Sequence, residues 1–374
     1  MENKIVPVYL QIEKDLREKI EKGQLKIGTR LTEKELTRIY KVSRLTLRKS
    51  LSLLASDGYL YQVPHRGTII TSPDDPSFKD IRDARLKKLN KGIGILVSCV
   101  TGYLYPGIIR GVEDVCESFG YHLVIGNYDA IPTKEKKYME TFVQRGISGL
   151  VIAPSYNSHL NPYYKTLKEK NVPFVLVDVE VKGIKSDIVS TNNFKGAYEG
   201  VKKLISSGCR NILFLSTSLN ASSTKERLSG YKQALEEAKI SFKKEFIKSD
   251  ESRQPHEFAY KITKDFLNKN KIDGIFSANE PLIFGVLKAI KDNGMKIPDD
   301  IKIVSFDKPE IPLELAYPIT FITQPRYQIG KTACELLLER IKEKRNKTKI
   351  PYKKILLEPE LVEANVKENV LTEV

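Results

Sequence analysis

Arg44 and Arg48 lie four residues apart in SRLTLRK, with Lys49 beside them and Ser43 and Thr46 on the same turns. That spacing puts two guanidinium forks on one face of a helix, and such forks grip phosphate oxygens or a guanine edge. A second set of polar side chains ends apolar runs: Asp178 after FVLV, Asn279 in GIFSAN and Asp307 after IKIVSF. If those runs are parallel strands, the side chains sit at carboxyl ends, where α/β folds hold ligands. A carboxylate there accepts hydrogen bonds from sugar hydroxyls; Asp307 could equally serve as a helix cap or turn residue. Tyr105 could stack on the apolar face of a sugar or join the core. Glycoside cleavage would need paired carboxyls at a fixed separation, and hydroxyl binding asks less. The chain thus carries the means to grip a polyanion and, elsewhere, a small polar ligand.

The first set needs a helix to present it. Thr32 with Glu35 three residues on forms a capping box, and Leu36, Ile39 and Tyr40 repeat at helical spacing. Lys41-Val42 breaks the pattern, and Ser43 caps a second helix whose buried side is Leu47, Leu51 and Leu54. Asp57-Gly58 stops it. YLYQV and GTIIT then flank a Pro64-His65-Arg66-Gly67 tip, a basic hairpin. Residues 5 to 24 add an amphipathic helix with Leu10, Ile12, Leu16 and Ile20 apolar and Gly23 as the stop. Residues 1 to 72 therefore read as a winged helix-turn-helix, with the second helix meeting the major groove. The whole chain carries 62 Lys and Arg against 47 Asp and Glu, net +15. Lysine is abundant throughout, so the eight basic against three acidic residues of positions 30–66 weigh more than the total.

The second set needs strand ends. Residues 73 to 91, PDDPSFKDIRDARLKKLNK, hold two prolines and dense mixed charge and read as a linker. Residues 92 to 374 alternate apolar runs (GIGILVSCV, HLVIGNY, GLVIAP, FVLVDV, NILFLST, GIFSAN, IKIVSF) with helical stretches such as IIRGVEDVCESFG and GAYEGVKKLISSG. That alternation predicts parallel sheets covered on both faces, and its span favours two Rossmann-like lobes over one. No GxGxxG or GxxxxGK[ST] loop follows a strand, so nucleotide chemistry is unsupported. Cys99, Cys116, Cys209 and Cys334 are scattered, read as buried thiols, and indicate neither zinc nor disulfides. No apolar run reaches the roughly 18 residues of a membrane span, and the opening stretch lacks a signal-peptide core. A cytoplasmic protein without membrane attachment is expected.

The head resembles the GntR family of transcription regulators through PVYLQI, GQLKIGTRL, EKEL, VSRLTLRKSLSLLASDGYL and the Gly67-Thr68 wing. Residues 92–365 resemble the effector core of LacI-family repressors, related to type I periplasmic sugar-binding proteins. The marks are IIRGVEDVCESFGYHL, RGISGLVIAPS, NNFKGAYEGVKKLISSGCRNILFLS, TKERLSGYKQAL and IPDDIKIVSFDKP. The first resemblance implies that Lys34, Ser43, Arg44 and Arg48 contact phosphates or base edges, with Lys34 and Arg66 on phosphate. Thr46 would face the major groove, and His65, Arg66 and Gly67 would enter the minor groove. The second implies that Arg227 grips the effector, its alternative being a surface pair with Glu226, and that Asp178, Asn279, Glu280, Asp307 and Gln324 join it. Gln324 could instead be a crossover residue between lobes, and Glu280 could be structural. Where that family has Asp-Asn, Asn-Asp and a double aspartate, this chain has Asn192-Asn193, Asn279-Glu280 and Asp307-Lys308. Together the resemblances imply a homodimeric repressor of a sugar-utilisation operon, released from operator DNA by a small sugar, L-arabinose first. Neither cofactor, metal nor catalysis is expected. The alternatives are a core answering to a protein partner or acting as an activator and, more remotely, an α/β enzyme with a DNA-binding head.

Overall fold

A computed structural model describes residues 7–63, 67–72, 91–156, 161–250, 254–269, 272–309, 317–346 and 351–363. The chain divides into two compact units, Met1–Leu89 and Asn90–Val374. The expected linker up to residue 90 and the wing-tip residues Pro64, His65 and Arg66 lie outside the described residues.

In the first unit, α1 (Val8–Glu21), α2 (Glu33–Tyr40) and α3 (Arg44–Ser56) pack on a three-stranded sheet of order β1-β3-β2. These strands are Arg30–Leu31, Leu60–Val63 and Gly67–Ile70 for β1, β2 and β3. Ile12, Leu16 and Ile20 of α1 meet Leu36, Leu47, Leu51, Leu54, Leu60 and Ile70 in one core. The caps arise as the sequence dictates. Thr32 accepts from the Glu35 amide and Ser43 from the Thr46 amide. Lys41, at φ 50, ends α2 in the left-handed region so that α3 can set off in a new direction. Strand β1, which sequence reading did not single out, pairs antiparallel with β3 and ties the inter-helix segment to the wing.

The second unit holds two six-stranded sheets. The first lobe contains β4 (Gly92–Val97), β5 (His122–Asn127), β6 (Gly149–Ile152), β7 (Phe174–Val177), β8 (Asp187–Thr191) and β14 (Lys354–Leu357), in the order β14-β8-β7-β6-β4-β5, all parallel. The second contains β9 (Ile212–Ser216), β10 (Ile247–Ser249), β11 (Gly274–Ser277), β12 (Lys302–Phe306), β13 (Thr320–Thr323) and β15 (Glu360–Glu363), in the order β10-β9-β11-β12-β13-β15. Only β13–β15 is antiparallel there. Strands β4, β6, β7, β9 and β11 are buried along their whole length, as continuous apolar runs covered by helices on both faces must be.

Helices α4 (Leu104–Ser118), α5 (Pro132–Gln144) and α6 (Tyr163–Glu169) belong to the first lobe, and α7 (Asn193–Ser206), α8 (Ser222–Glu237), α9 (Pro255–Lys269) and α10 (Ile283–Asp292) to the second. The 21-residue α11 (Arg326–Asn346) leaves the second sheet and packs back into the first lobe's core. The chain therefore passes between lobes after β8, after β13 and between β14 and β15. Among the described residues, no helix is long and apolar enough to cross a membrane.

Helices α4 and α11 cross closely because glycine faces glycine's neighbours. A Cβ at Gly111 would overlap the Tyr327 carbonyl oxygen, and one at Gly330 the Ile108 carbonyl oxygen. In an open helix, Gly→Ala gains about 0.5–1 kcal/mol. At Gly330 the sign reverses: overpacking is expected to cost roughly 1–3 kcal/mol. A lowered thermal midpoint for Gly330→Ala checks this, and a raised one would show the crossing to be loose.

Candidate functional site

The cleft is built from strand ends of both lobes. Asp178 follows β7, and its amide donates to Val189 of β8 at 3.2 Å. Asp307 follows β12, and its amide donates to Ile322 of β13 at 2.9 Å. The two residues occupy corresponding places in the two lobes, and both have positive φ, 66° and 71°. A left-handed aspartate costs on the order of 1–2 kcal/mol that glycine would not. The strain buys nothing for packing; it turns both carboxyls off the strand ends into one cavity of about 450 Å³.

Arg227, from the first turns of α8, is the cation of that cavity and is only 2% exposed. Its Nε donates to Asn193 Oδ1 at 2.8 Å and its Nη1 to the Ala278 carbonyl at 2.5 Å. The guanidinium carbon lies 3.5 Å above the Phe306 ring centre. The surface pair with Glu226, open as an alternative from sequence, is not formed; Glu226 pairs with Lys354 instead.

Burial raises the Asp307 carboxyl to about 6, against the pull of Arg227 and of the Gln324 hydrogen bond. Burial likewise raises Asp178, opposed by Arg227 and by hydrogen bonds from Tyr105 and Ser223. Burial lowers Arg227, while the charges of Asp307 and Asp178 hold it up. Tyr105 Oη donates to Asp178 Oδ2 at 3.4 Å, whereas Asp178 Oδ1 is buried without a partner among the described residues. An orphaned carboxylate oxygen facing a cavity is poised for a donor on a ligand.

The other expected residues fall as follows. Tyr105, Asn279 and Glu280 line the cavity. Asn279 Oδ1 accepts from the Thr217 amide at 3.0 Å, fixing the end of β11 to that of β9. Glu280 comes from the second lobe, and its Oε2 lies 3.6 Å from where a Cβ on Gly102 of the first would stand. Gln324 is not a lining residue. It lies at the β13 crossover, donates to Asp307 Oδ1 at 2.7 Å and accepts from Thr191 Oγ1 at 2.5 Å. It therefore ties the end of β8 to the carboxylate of the other lobe, the crossover role that sequence reading left open.

Sequence reading missed the walls and the braces. Tyr103, Tyr128, Tyr156, Pro281 and Phe284 give apolar surface, and Ser98, Thr217 and Ser223 give hydroxyls. Asn193, singled out only as half of an altered pair, orients Arg227. Cys99 lines the cavity and is exposed, so of the four thiols expected to be buried only Cys116, Cys209 and Cys334 are.

One pH effect follows. Between the ordinary 3.8 and about 6 the folded chain holds a proton on Asp307 that the unfolded chain has released. Unfolding free energy therefore falls as pH rises through that window and stays lower above it, by on the order of 2–3 kcal/mol. Asp307→Asn, which still accepts from Gln324, is expected to raise the thermal midpoint at neutral pH and to flatten its slope between about pH 4 and 6. An unchanged slope would place the proton elsewhere.

In the first unit, Arg44 and Lys34 are exposed, Thr46 is half-buried, and Ser43 caps α3 while touching Thr46 Oγ1 at 2.9 Å. Arg48 is exposed but pairs with Glu33 at 2.9 Å. Lys49 lies 4.1 Å above the Tyr9 ring centre. Gly67 begins β3; His65 and Arg66 lie outside the described residues.

The model of the periplasmic binding protein domain matches residues 93–344, and that of the gntR family of bacterial regulatory proteins matches residues 8–70. The arabinose metabolism transcriptional repressor of Geobacillus stearothermophilus is 27% identical, over 98% of this chain and 99% of its own length. The HTH-type transcriptional regulator RegA of Clostridium saccharobutylicum is 30% identical, over 73% of this chain and 80% of its own. Among solved structures, the transcription regulator CcpA of Lactococcus lactis superposes with a TM-score of 0.66 at 26% identity, covering 74% of this chain and 99% of that one. A LacI family transcriptional regulator of Enterococcus faecium with bound ribose gives 0.62 at 26% identity, covering 74% and 98%.

Proposed function

This chain belongs to the periplasmic binding protein domain family through its core and carries a gntR-family head, and on that premise we propose that it is a sugar-released transcriptional repressor. The observation that carries the reading is the convergence of Asp178, Asp307 and Arg227 from two lobes on one cavity of about 450 Å³. That volume lies in the range of small-molecule sites. Hydroxyl-accepting carboxylates and aromatic walls fit a small sugar, and the arabinose repressors that align over nearly the whole chain make L-arabinose the first candidate. The cleft binds its ligand and does not turn it over.

The mechanism is a population shift. The effector prefers one closure of the lobes, and in a homodimer that closure alters the spacing of two heads on a near-palindromic operator. A hundredfold preference is about 2.7 kcal/mol of coupling. Titration calorimetry of the full chain with L-arabinose and a panel of pentoses and hexoses, beside gel shifts on the upstream region of its own operon, tests this. Silence across the panel would sink the sugar reading and favour a protein-responsive core. Arg44→Ala is expected to weaken operator binding about tenfold and to lower the salt slope by roughly one counterion, with effector binding unchanged. Unaltered affinity would move the DNA face off α3.

A further inference from the structure

Leu45 is 80% exposed, more than any other large apolar side chain among the described residues. It stands in the first turn of α3, between Arg44 and Thr46. Leu47, Leu51 and Leu54 fill the opposite, buried side of that helix. Leu45, Arg48 and Lys49 share a face by their three- and four-residue spacing. On that face the charged members already have partners, Arg48 at Glu33 and Lys49 over Tyr9. Leucine is neither a cap nor a phosphate ligand, and leaving it in water gains nothing.

We propose that Leu45 reads sequence: its methyl groups pack on the C5-methyl of a thymine in the major groove. The inference rests on the DNA-binding reading and adds to it a base. Arg44 and Lys34 give the surrounding surface its attraction for phosphate, which positions the helix without specifying sequence. An apolar side chain at the helix tip, where base edges are met, supplies what they cannot. In the major groove only thymine offers a methyl, so the contact separates A·T from G·C and fixes which strand carries the thymine. Removing one methyl-sized group from such a contact loses roughly 0.8 kcal/mol, about fourfold in affinity.

The test uses the full chain. Duplexes are first selected from a random-sequence pool, and each thymine of the preferred site is then replaced singly by deoxyuridine, which deletes the methyl and keeps every hydrogen bond. The expected result is about fourfold weaker binding at one thymine per half-site, at fixed salt, and no such loss for Leu45→Ala. At 80% exposure that variant should fold as the parent does, and an unchanged thermal midpoint verifies it. Uracil sensitivity that persists in Leu45→Ala, or is absent from the parent chain, overturns the proposal. So does a loss of self-association in Leu45→Ala with base preference intact, which would make the leucine a protein contact. Failure to select any duplex would instead overturn the DNA-binding reading itself.

Discussion

An Asp307→Ala chain is expected to hold its operator and ignore its effector. Hydrogen bonds to a charged acceptor contribute about 1.5–3 kcal/mol each, and Asp307 offers two oxygens, of which Oδ1 already receives Gln324. Alanine removes the effector's acceptor and leaves the Gln324 amide, which is 5% exposed, without its partner. The second loss is shared by the empty and liganded forms and lowers stability; the first falls on the liganded form alone, so effector affinity should drop about ten- to a hundredfold, roughly 1.5–3 kcal/mol. The gntR-family match falls in a separate compact unit, and affinity for DNA without sugar should change less than twofold. Calorimetry and gel shifts on the same preparation measure the two halves of this expectation. Release at the parent's effector concentration would remove Asp307 from the site, and a parallel loss of DNA binding would mean that the fold had failed. The contrast with Asp307→Asn is informative. The amide relieves the buried charge and keeps the Gln324 bond, so it should stabilise the empty cleft while still weakening its grip on hydroxyls.

What sequence reading could recover of this follows from burial. Parallel strands covered on both faces, such as GIGILV and IKIVSF, must be continuous apolar runs; all seven apolar runs are strands, although β5 at the sheet edge is largely exposed. The strands it missed lack the property. β8 is DIVST, whose Asp187, Ser190 and Thr191 are buried polar residues with partners elsewhere in the chain. β14, KILL, alternates between exposed and half-buried residues, and β15, ELVE, is exposed throughout. In α11, three successive buried leucines, 336 to 338, wrap the helix and blur a one-sided stripe. In the site, Asp178 and Asp307 were visible because a charge directly after an apolar run has little other reason to be there. The roles of Gln324 and Asn193 were not resolvable, because each acts by joining residues distant in the chain, Gln324 with Thr191 133 positions away and Asn193 with Arg227 34 positions away. That information is absent from any local window.

The largest stability effect is expected at Asp187. Its Oδ2 accepts from Arg340 Nε at 2.6 Å and its Oδ1 from Arg340 Nη2 at 2.7 Å, a two-pronged pair with side chains 0% and 7% exposed. Asp187 Oδ1 also takes the Lys353 amide at 2.8 Å, and Arg340 Nη2 the Pro351 carbonyl at 2.6 Å. The pair thus fastens the start of β8, the last turns of α11 and the entry to β14. These elements lie on the first-lobe side of the three crossings between lobes. Removing Asp187 leaves Arg340 paired with Glu343 alone, at 2.7 Å, and breaking a buried pair costs about 3–5 kcal/mol. For a unit of this size that is a fall of roughly 10 °C in the thermal midpoint. Asp187→Leu should show it. Asp187→Leu combined with Arg340→Met should regain much of the loss, since a buried ion pair exchanged for apolar groups of similar volume is often close to neutral. The recovery should stop short of the parent, because the Lys353 amide and the Pro351 carbonyl still lack partners. If the double replacement is no better than the single one, the pair's contribution lies in its backbone bonds, and β8 and β14 are held by hydrogen bonding alone. If it matches the parent, the charges serve neither stability nor those bonds, and their place beside the crossovers would have to be explained by the motion of the lobes.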